Sequence, residues 1–261
     1  MDNSLKGRTA LICGGTQGIG RAIALEFARA GANIIVLARD QGALDRTLKE
    51  LDEPAGGHHG LLAVDMADTG ALAACMAELT KGRAIDIVVN NTGGPPPGAA
   101  HEAAVDAFEA AFRMHLLAYQ TIVRAVVPGM MERQHGRIIN IISTSVKQPL
   151  PNLGVSNTIR GAVANWAKTL ANELGPHGIT VNNVLPGATE TGRLAAIIRN
   201  KAARSGTTET DAAYEMMSEI PLRRFARPEE IAYAAAFLAG PSGAYINGIN
   251  LPVDGGRTAC L

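Results

Sequence analysis

Two groups of residues in this 261-residue chain have types and spacing suited to chemistry. The first is Cys13-Gly-Gly-Thr-Gln-Gly-Ile-Gly20, preceded by the apolar run Thr9 to Cys13 and followed by Ile19, Ala22, Ile23, Phe27 and Ala30 at helical spacing. That pattern is strand, glycine turn, helix. Gly14 permits the tight turn, Gly18 lets the backbone approach a pyrophosphate, and Gly20 lets the helix pack close on the strand, with phosphates at the helix N-terminus. A dinucleotide fits this context better than a plain strand-to-helix connection does. The second group begins with Ser143-Thr144-Ser145, which follows the apolar strand Arg137 to Ile142 and so sits at the edge where open α/β sheets place ligands. On the next helix Ser156 and Arg160, four residues apart, share one face. A serine hydroxyl is a poor general acid, and a guanidinium, charged to above about pH 12, acts as an electrostatic clamp. His115 lies beside the apolar stripe Phe108, Phe112, Leu116, Tyr119, Val123 and Val127. With a reference pKa of about 6.5 it is the side chain of this group suited to exchange protons near neutrality, and it reads equally as a hydrogen-bonded core histidine.

The elements that must hold these groups alternate along the chain. After the first helix, the strand Asn33 to Leu37 ends in Ala38-Arg39, where a small residue and a cation leave room and charge for a ribose 2'-phosphate. This predicts NADP as the cofactor, with NAD as the alternative. The strand Leu61 to Val64 ends in Asp65-Met66, and Asp65 is also a candidate N-cap for the segment starting near Asp68. The strand Ile85 to Val89 is apolar on both faces, as a central parallel strand should be, and runs into Asn90-Asn91-Thr92-Gly93-Gly94. Pro95-Pro96-Pro97-Gly98 then reads as a stiff wall beside the substrate. Long helices are expected over Ala104 to Arg133 and Leu153 to Leu174, and the small residues on their surfaces suit packing against a second copy, as a homotetramer or homodimer. Ile179 to Leu185 leads to Pro186-Gly187-Ala188-Thr189-Glu190-Thr191. The polar, helix-permissive stretch that follows predicts a substrate lid over 190–220.

Strands alternating with helices, 47% hydrophobic residues and 29 glycines predict one α/β domain over 1–261: a Rossmann-like, doubly wound, seven-stranded, mostly parallel sheet with helices on both faces. Lys+Arg and Asp+Glu are both 24, so no net field recruits nucleic acid or an anionic membrane. With no signal or anchor in sight, the expected compartment is cytoplasmic. The three cysteines, Cys13, Cys75 and Cys260, are scattered without metal-ligand spacing, and no metal is expected.

The spacing Gly14-x-x-x-Gly18-x-Gly20, together with Asn90-Asn91-Thr92-Gly93, Pro186-Gly187 and the closing Asn250-Leu-Pro-Val-Asp-Gly-Gly256, resembles the short-chain dehydrogenase/reductase family along the whole chain. The resemblance implies a cofactor set of Gly14, Thr16, Gln17, Gly18, Ile19, Gly20, Arg39, Asp65, Met66, Asn91, Gly93, Arg160, Pro186, Gly187, Thr189 and Thr191. In it, Asn91 and Gly93 would lie by the adenosine half and Thr191 would bond the nicotinamide carboxamide. The catalytic pattern departs from the family. Ser143 matches, but the family's Tyr-x-x-x-Lys is here Ser156-Asn-Thr-Ile-Arg160, and the family's helix asparagine is His115. The implied activity is NADP-dependent interconversion of a ketone and a secondary alcohol, with Ser143, Arg160, Ser156 and His115 as the candidate catalytic group. The substrate would be a small carbonyl or alcohol compound. Arg160, Lys147 and Arg193 near the nicotinamide would suit an anionic or acyl-linked one, like that of the related 3-oxoacyl reductases. The missing tyrosine keeps two alternatives open: altered chemistry such as isomerisation or decarboxylation, or a dinucleotide-binding protein that catalyses nothing.

Overall fold

The structure is a computed structural model that describes residues 2–52 and 58–260; Met1 and Leu261, the ends of the expected domain, lie outside it. Seven strands form one sheet: β1 (Thr9–Cys13), β2 (Asn33–Ala38), β3 (Gly60–Ala63), β4 (Ile87–Asn90), β5 (Gly136–Ile141), β6 (Ile179–Pro186) and β7 (Asn250–Val253). Their order is β3-β2-β1-β4-β5-β6-β7. Every pairing is parallel, which is stricter than the mostly parallel sheet expected from sequence. The order reverses between β1 and β4, and such a switch point opens a crevice at the carboxyl ends of the strands.

Helices cover both faces because the central strands are apolar on both. On one face α1 (Gly18–Arg29), α2 (Gln41–Leu48) and α9 (Pro228–Ala239) bury Ile23, Phe27, Leu44, Ile231 and Leu238 against Ile12, Val36 and Val89. On the other, α3 (Thr69–Gly82), α5 (Ala118–Glu132) and α6 (Gly154–Leu174) set Leu72, Met76, Ile122 and Val163 against Leu11, Val88 and Ile138. The predicted strands are displaced by a residue or two at their ends. The predicted helix from Ala104 to Arg133 is α4 (Val105–Phe112) and α5 joined through a π turn, Arg113–Leu117. The stretch 190–220 contains α7 (Gly192–Ser205) and α8 (Glu209–Ser218), packed around Leu194, Ile220 and Phe225.

One polar feature runs through this apolar sheet. Asn90, Asn140, Asn183 and Asn250 are in register on β4, β5, β6 and β7. Each amide donates to the next carbonyl oxygen at 2.8 Å: Asn90 Nδ2 to Asn140 Oδ1, Asn140 Nδ2 to Asn183 Oδ1, and Asn183 Nδ2 to Asn250 Oδ1. Asn90, Asn140 and Asn183 are at most 3% exposed, so each bond satisfies groups that water does not reach. Truncating an inner rung strands two buried partners at once. Asn140→Ala should therefore cost about 2–5 kcal/mol in urea denaturation, against about 1 kcal/mol for Asn250→Ala at the half-buried end.

Candidate active site

The glycine turn is built as a cradle. Gly14 and Gly18 have φ of +58° and +52°, in the left-handed region that favours glycine. A Cβ on Gly20 would lie 2.2 Å from the Gly14 carbonyl oxygen, so the helix can begin this close to β1 only with glycine there. Gln17 at the N-cap of α1 makes no side-chain capping bond, which leaves the first-turn N–H groups free to meet an anion. These features fit the pyrophosphate of a dinucleotide. Asn91 reaches across from the end of β4 and donates from Nδ2 to the carbonyls of Cys13 and Gly14 at 3.2 and 3.3 Å, so its amide braces the turn itself. Thr16 and Ile19 flank the cradle, Ile19 packing partly into the core.

At the end of β2, Arg39 extends from the surface with Nη1 3.6 Å from Asp65 Oδ2. Asp65 Oδ1 accepts from the Ala67 backbone, and the N-cap of α3 is Asp68, which accepts from Gly70 and Ala71. The capping role considered for Asp65 thus belongs to Asp68. Met66 points its side chain into the core, which leaves only its backbone to the crevice. At the far side, Gly187 is pressed against Asp254, whose Cα would lie 2.7 Å from a Cβ there. Thr189 Oγ1 donates to the Gly187 carbonyl at 3.1 Å. Thr191 caps α7 through Leu194 N, and its Cγ2 would come within 3.1 Å of a Cβ on Gly18. Pro186 closes β6, and Gly93 is open on its Cβ side.

Two of the catalytic candidates, Ser143 and Arg160, meet the end of β5, Ser143 by sequence and Arg160 through a backbone bond. Ser143 Oγ accepts from Ser145 N at 3.1 Å, which fixes the hydroxyl at the start of the loop. One element away, Ser156 and Arg160 are both buried, at 6% and 7% exposure. Arg160 Nη1 donates to the Ile141 carbonyl at 2.9 Å, which ties the guanidinium to the end of β5 two residues before Ser143, while its Nε is buried without a partner. Among the described residues no carboxylate pairs with it, and burial lowers its affinity for the proton from an ordinarily very high value. Arg193 is committed elsewhere: Nη1 and Nη2 donate to the carbonyls of Gly94 and Pro95 at 2.9 and 3.0 Å. It does not reach for a ligand as expected from sequence. Lys147 offers its carbonyl to Cys260 Sγ, 3.7 Å away.

His115 is 1% exposed, inside the π turn that splits the long helix. Its Nδ1 lies 2.6 Å from Thr92 Oγ1, and that hydroxyl lies 3.1 Å from the phenol of Tyr119. Burial pushes the imidazole down to about 3, helped by the charges of Arg160 and Arg193 and opposed by the Gly93 carbonyl. Burial also pushes the Tyr119 phenol up to about 12. Of the two sequence readings of His115, the proton exchanger near neutrality gives way to a neutral, hydrogen-bonded group. Thr92 and Tyr119 were missed from sequence. The available signal was Thr92 standing in the Asn-Asn-x-Gly motif, and Tyr119 standing four residues, one helical turn, after a histidine that itself departs from the family pattern. Cys13, also buried, is pushed up to about 12 and is no nucleophile. Among the described residues no cluster of three or more His, Cys, Asp or Glu could hold a metal.

A family model described as enoyl-(acyl carrier protein) reductase matches residues 14–258. The 3-oxoacyl-[acyl-carrier-protein] reductase FabG of Vibrio harveyi is 34% identical over 256 residues, 97% of this chain and 98% of that protein. The chain belongs to the short-chain dehydrogenase/reductase family. The NADPH-dependent reductase BacG of Bacillus subtilis is 30% identical to this family member over 252 residues, 95% of this chain and 97% of that one. The L-sorbose reductase of Gluconobacter frateurii, solved with NADPH and L-sorbose, superposes with a TM-score of 0.93 at 32% identity, covering 100% of both chains.

The depressed His115 pKa has a signed consequence. Between the folded value of about 3 and the unfolded value of 6.5, only the unfolded chain binds the proton, so folding stability falls as pH drops below about 6.5. His115→Asn should remove that part of the acid sensitivity. Relative to the variant, the wild type should lose about 1.4 kcal/mol per pH unit between about pH 6 and pH 4, read from denaturation curves at each pH.

Proposed function

We propose that this protein is an NADP-dependent reductase that interconverts a ketone and a secondary alcohol, with the carbonyl oxygen received at the end of β5 by Ser143 and Arg160. The observation that carries the reading is the buried guanidinium bonded to the Ile141 carbonyl at the end of β5, two residues before Ser143, which no carboxylate among the described residues neutralises. A fixed cation in a low-dielectric pocket stabilises charge developing on oxygen without reorganising. Bound NADPH supplies the hydride. Ser143 and Arg160 hold and polarise the oxygen, while Ser156 lines the pocket and adds no acidity. With His115 neutral and Tyr119 far above neutrality, the proton that completes the alcohol comes from water. An uncompensated cation favours a substrate that carries negative charge near its carbonyl, in free or acyl-linked form. The names of the relatives, an NADPH-dependent reductase and a 3-oxoacyl reductase among them, support the same cofactor and substrate type.

The setting we infer is a cytoplasmic homotetramer or homodimer in which 190–220 is a lid over the crevice. Val105, Phe112 and Leu117 expose apolar surface along the helices expected to pair. No helix among the described residues is long and apolar enough to cross a membrane.

Loss of NADPH absorbance on adding oxo acids, 3-oxoacyl thioesters and neutral ketones tests the reaction. Binding of NADPH with no oxidation by any of them would replace the reductase with a dinucleotide-binding role. For an active substrate, Arg160→Lys should lower kcat/KM by about tenfold or more, because an ammonium cannot keep the Ile141 bond and also fork onto the oxygen. Ser156→Ala should change it by less than about threefold.

Cofactor choice is tested separately. Arg39 at the end of β2 supplies the charge and Ala38 the room for a 2'-phosphate. Ala38→Asp with Arg39→Leu should shift the ratio of NADPH to NADH affinity by about tenfold or more toward NADH, measured by fluorescence titration.

A further inference from the structure

We infer that Arg193 is a positioning residue that latches the 190–220 segment onto the loop after β4, and that Gly94 is its seat. This rests on the reading of that segment as a lid over the cofactor crevice. The planar guanidinium spans two successive carbonyls, Nη1 to Gly94 at 2.9 Å and Nη2 to Pro95 at 3.0 Å, between residues far apart in sequence. A single ammonium could satisfy one of them; the fork satisfies both. Gly94 carries no side chain, and a Cβ there would lie 2.8 Å from Nη2 and 2.9 Å from Cζ, so the guanidinium would have to shift off these two carbonyls. The prolines that follow, Pro95 to Pro97, stiffen the strand of carbonyls that receives the fork.

Position gives the latch its meaning. Arg193 lies in the first turn of α7, and Thr191, at the N-cap of the same helix, rests against Gly18 of the glycine turn. The root of the segment therefore touches both loops that border the crevice at the switch point, Thr191 on the loop after β1 and Arg193 on the loop after β4. A ligand lodged between those loops leaves only when the root lifts. The lift must break the Arg193 bonds, while the Thr191 contact is van der Waals and yields easily.

The test uses the whole protein with Arg193→Met, Arg193→Lys, Gly94→Ala and the double variant Arg193→Met/Gly94→Ala. Hydrogen exchange of the ligand-free protein reads the latch directly, and stopped-flow NADPH release reads its effect on the crevice. Neither depends on turnover, so failure of the latch is distinguishable from failure of the reductase reading. Arg193→Met and Gly94→Ala should each speed exchange over 192–205 and NADPH release by about three- to tenfold. The double variant should be no faster than either single, because both remove one contact. Arg193→Lys should fall between wild type and Arg193→Met. The inference is overturned if Gly94→Ala behaves as wild type while Arg193→Met speeds release and Arg193→Lys restores it, since Arg193 would then act by charge on the cofactor phosphates. It is equally overturned if no variant changes exchange over 192–205. Unchanged melting temperatures identify variants that fold normally, and Arg193, being exposed, is expected to be among them.

Discussion

The asparagine ladder across β4, β5, β6 and β7 is the constraint on which the rest of the molecule depends. Parallel strands twist, and apolar side chains alone would hold them with little preference for height along the strand axis. Four amides, three of them buried, that must meet at hydrogen-bonding distance remove that freedom, because a slip of one residue would break their bonds where water does not reach. Each rung stands just below a part of the site. Asn90 precedes Asn91 and Thr92, Asn140 precedes Ser143, Asn183 precedes Pro186 and Gly187, and Asn250 precedes Asp254, which Gly187 abuts. The crevice is level because the ladder is.

Above that level edge, the chemistry is governed by desolvation. Arg160 is a cation held in a place that disfavours cations. Burial keeps His115 neutral, with Arg160 acting in the same sense, and keeps the proton on Tyr119 against the pull of Arg160, while Thr92 joins the two by bonds that need no charge. Arg193, the second cation near the site, spends its donors on backbone carbonyls. Arg160, by contrast, keeps its buried Nε without a partner. In the family pattern a tyrosine and a lysine divide proton donation and charge between them. On the proposed reading, Arg160 retains the charge at these positions and Ser156 supplies no donor in place of the tyrosine.

The sequence was legible where one residue type answers one backbone need. Gly14, Gly18 and Gly20 announce the cradle, apolar runs ending in polar clusters announce the strands and their ligand edge, and the spacing of Ser156 and Arg160 announces a shared face. Illegible were contacts that join distant residues. Nothing local in Asn90, Asn140, Asn183 or Asn250 states that they align, since each looks like a turn former or an isolated polar residue in a strand. Arg193 reads as a surface cation until Gly94 is seen beneath it. His115 has the same spelling whether its ring meets water or Thr92, and only burial decides which. The helix from Ala104 to Arg133 was legible as a stripe of apolar residues, but no residue type marks the one extra residue that the π turn takes up within it.

That π turn makes the length of the segment as consequential as its composition. Over Arg113–Leu117 the backbone accommodates one residue more than a regular turn would, and His115 sits in the widened loop. Removing any single residue there would restore an ordinary helix and rotate all of α4 by about 100° relative to α5, with an axial shift of about 1.5 Å. The face that packs Ala111 against Val155 and Ile159 of α6 would turn away, and His115 would lose Thr92 even with its side chain intact. Point substitutions across this stretch act one contact at a time, whereas a change in the residue count acts on every contact upstream together. Among homologous chains, insertions and deletions should therefore be rarer here than amino-acid replacements.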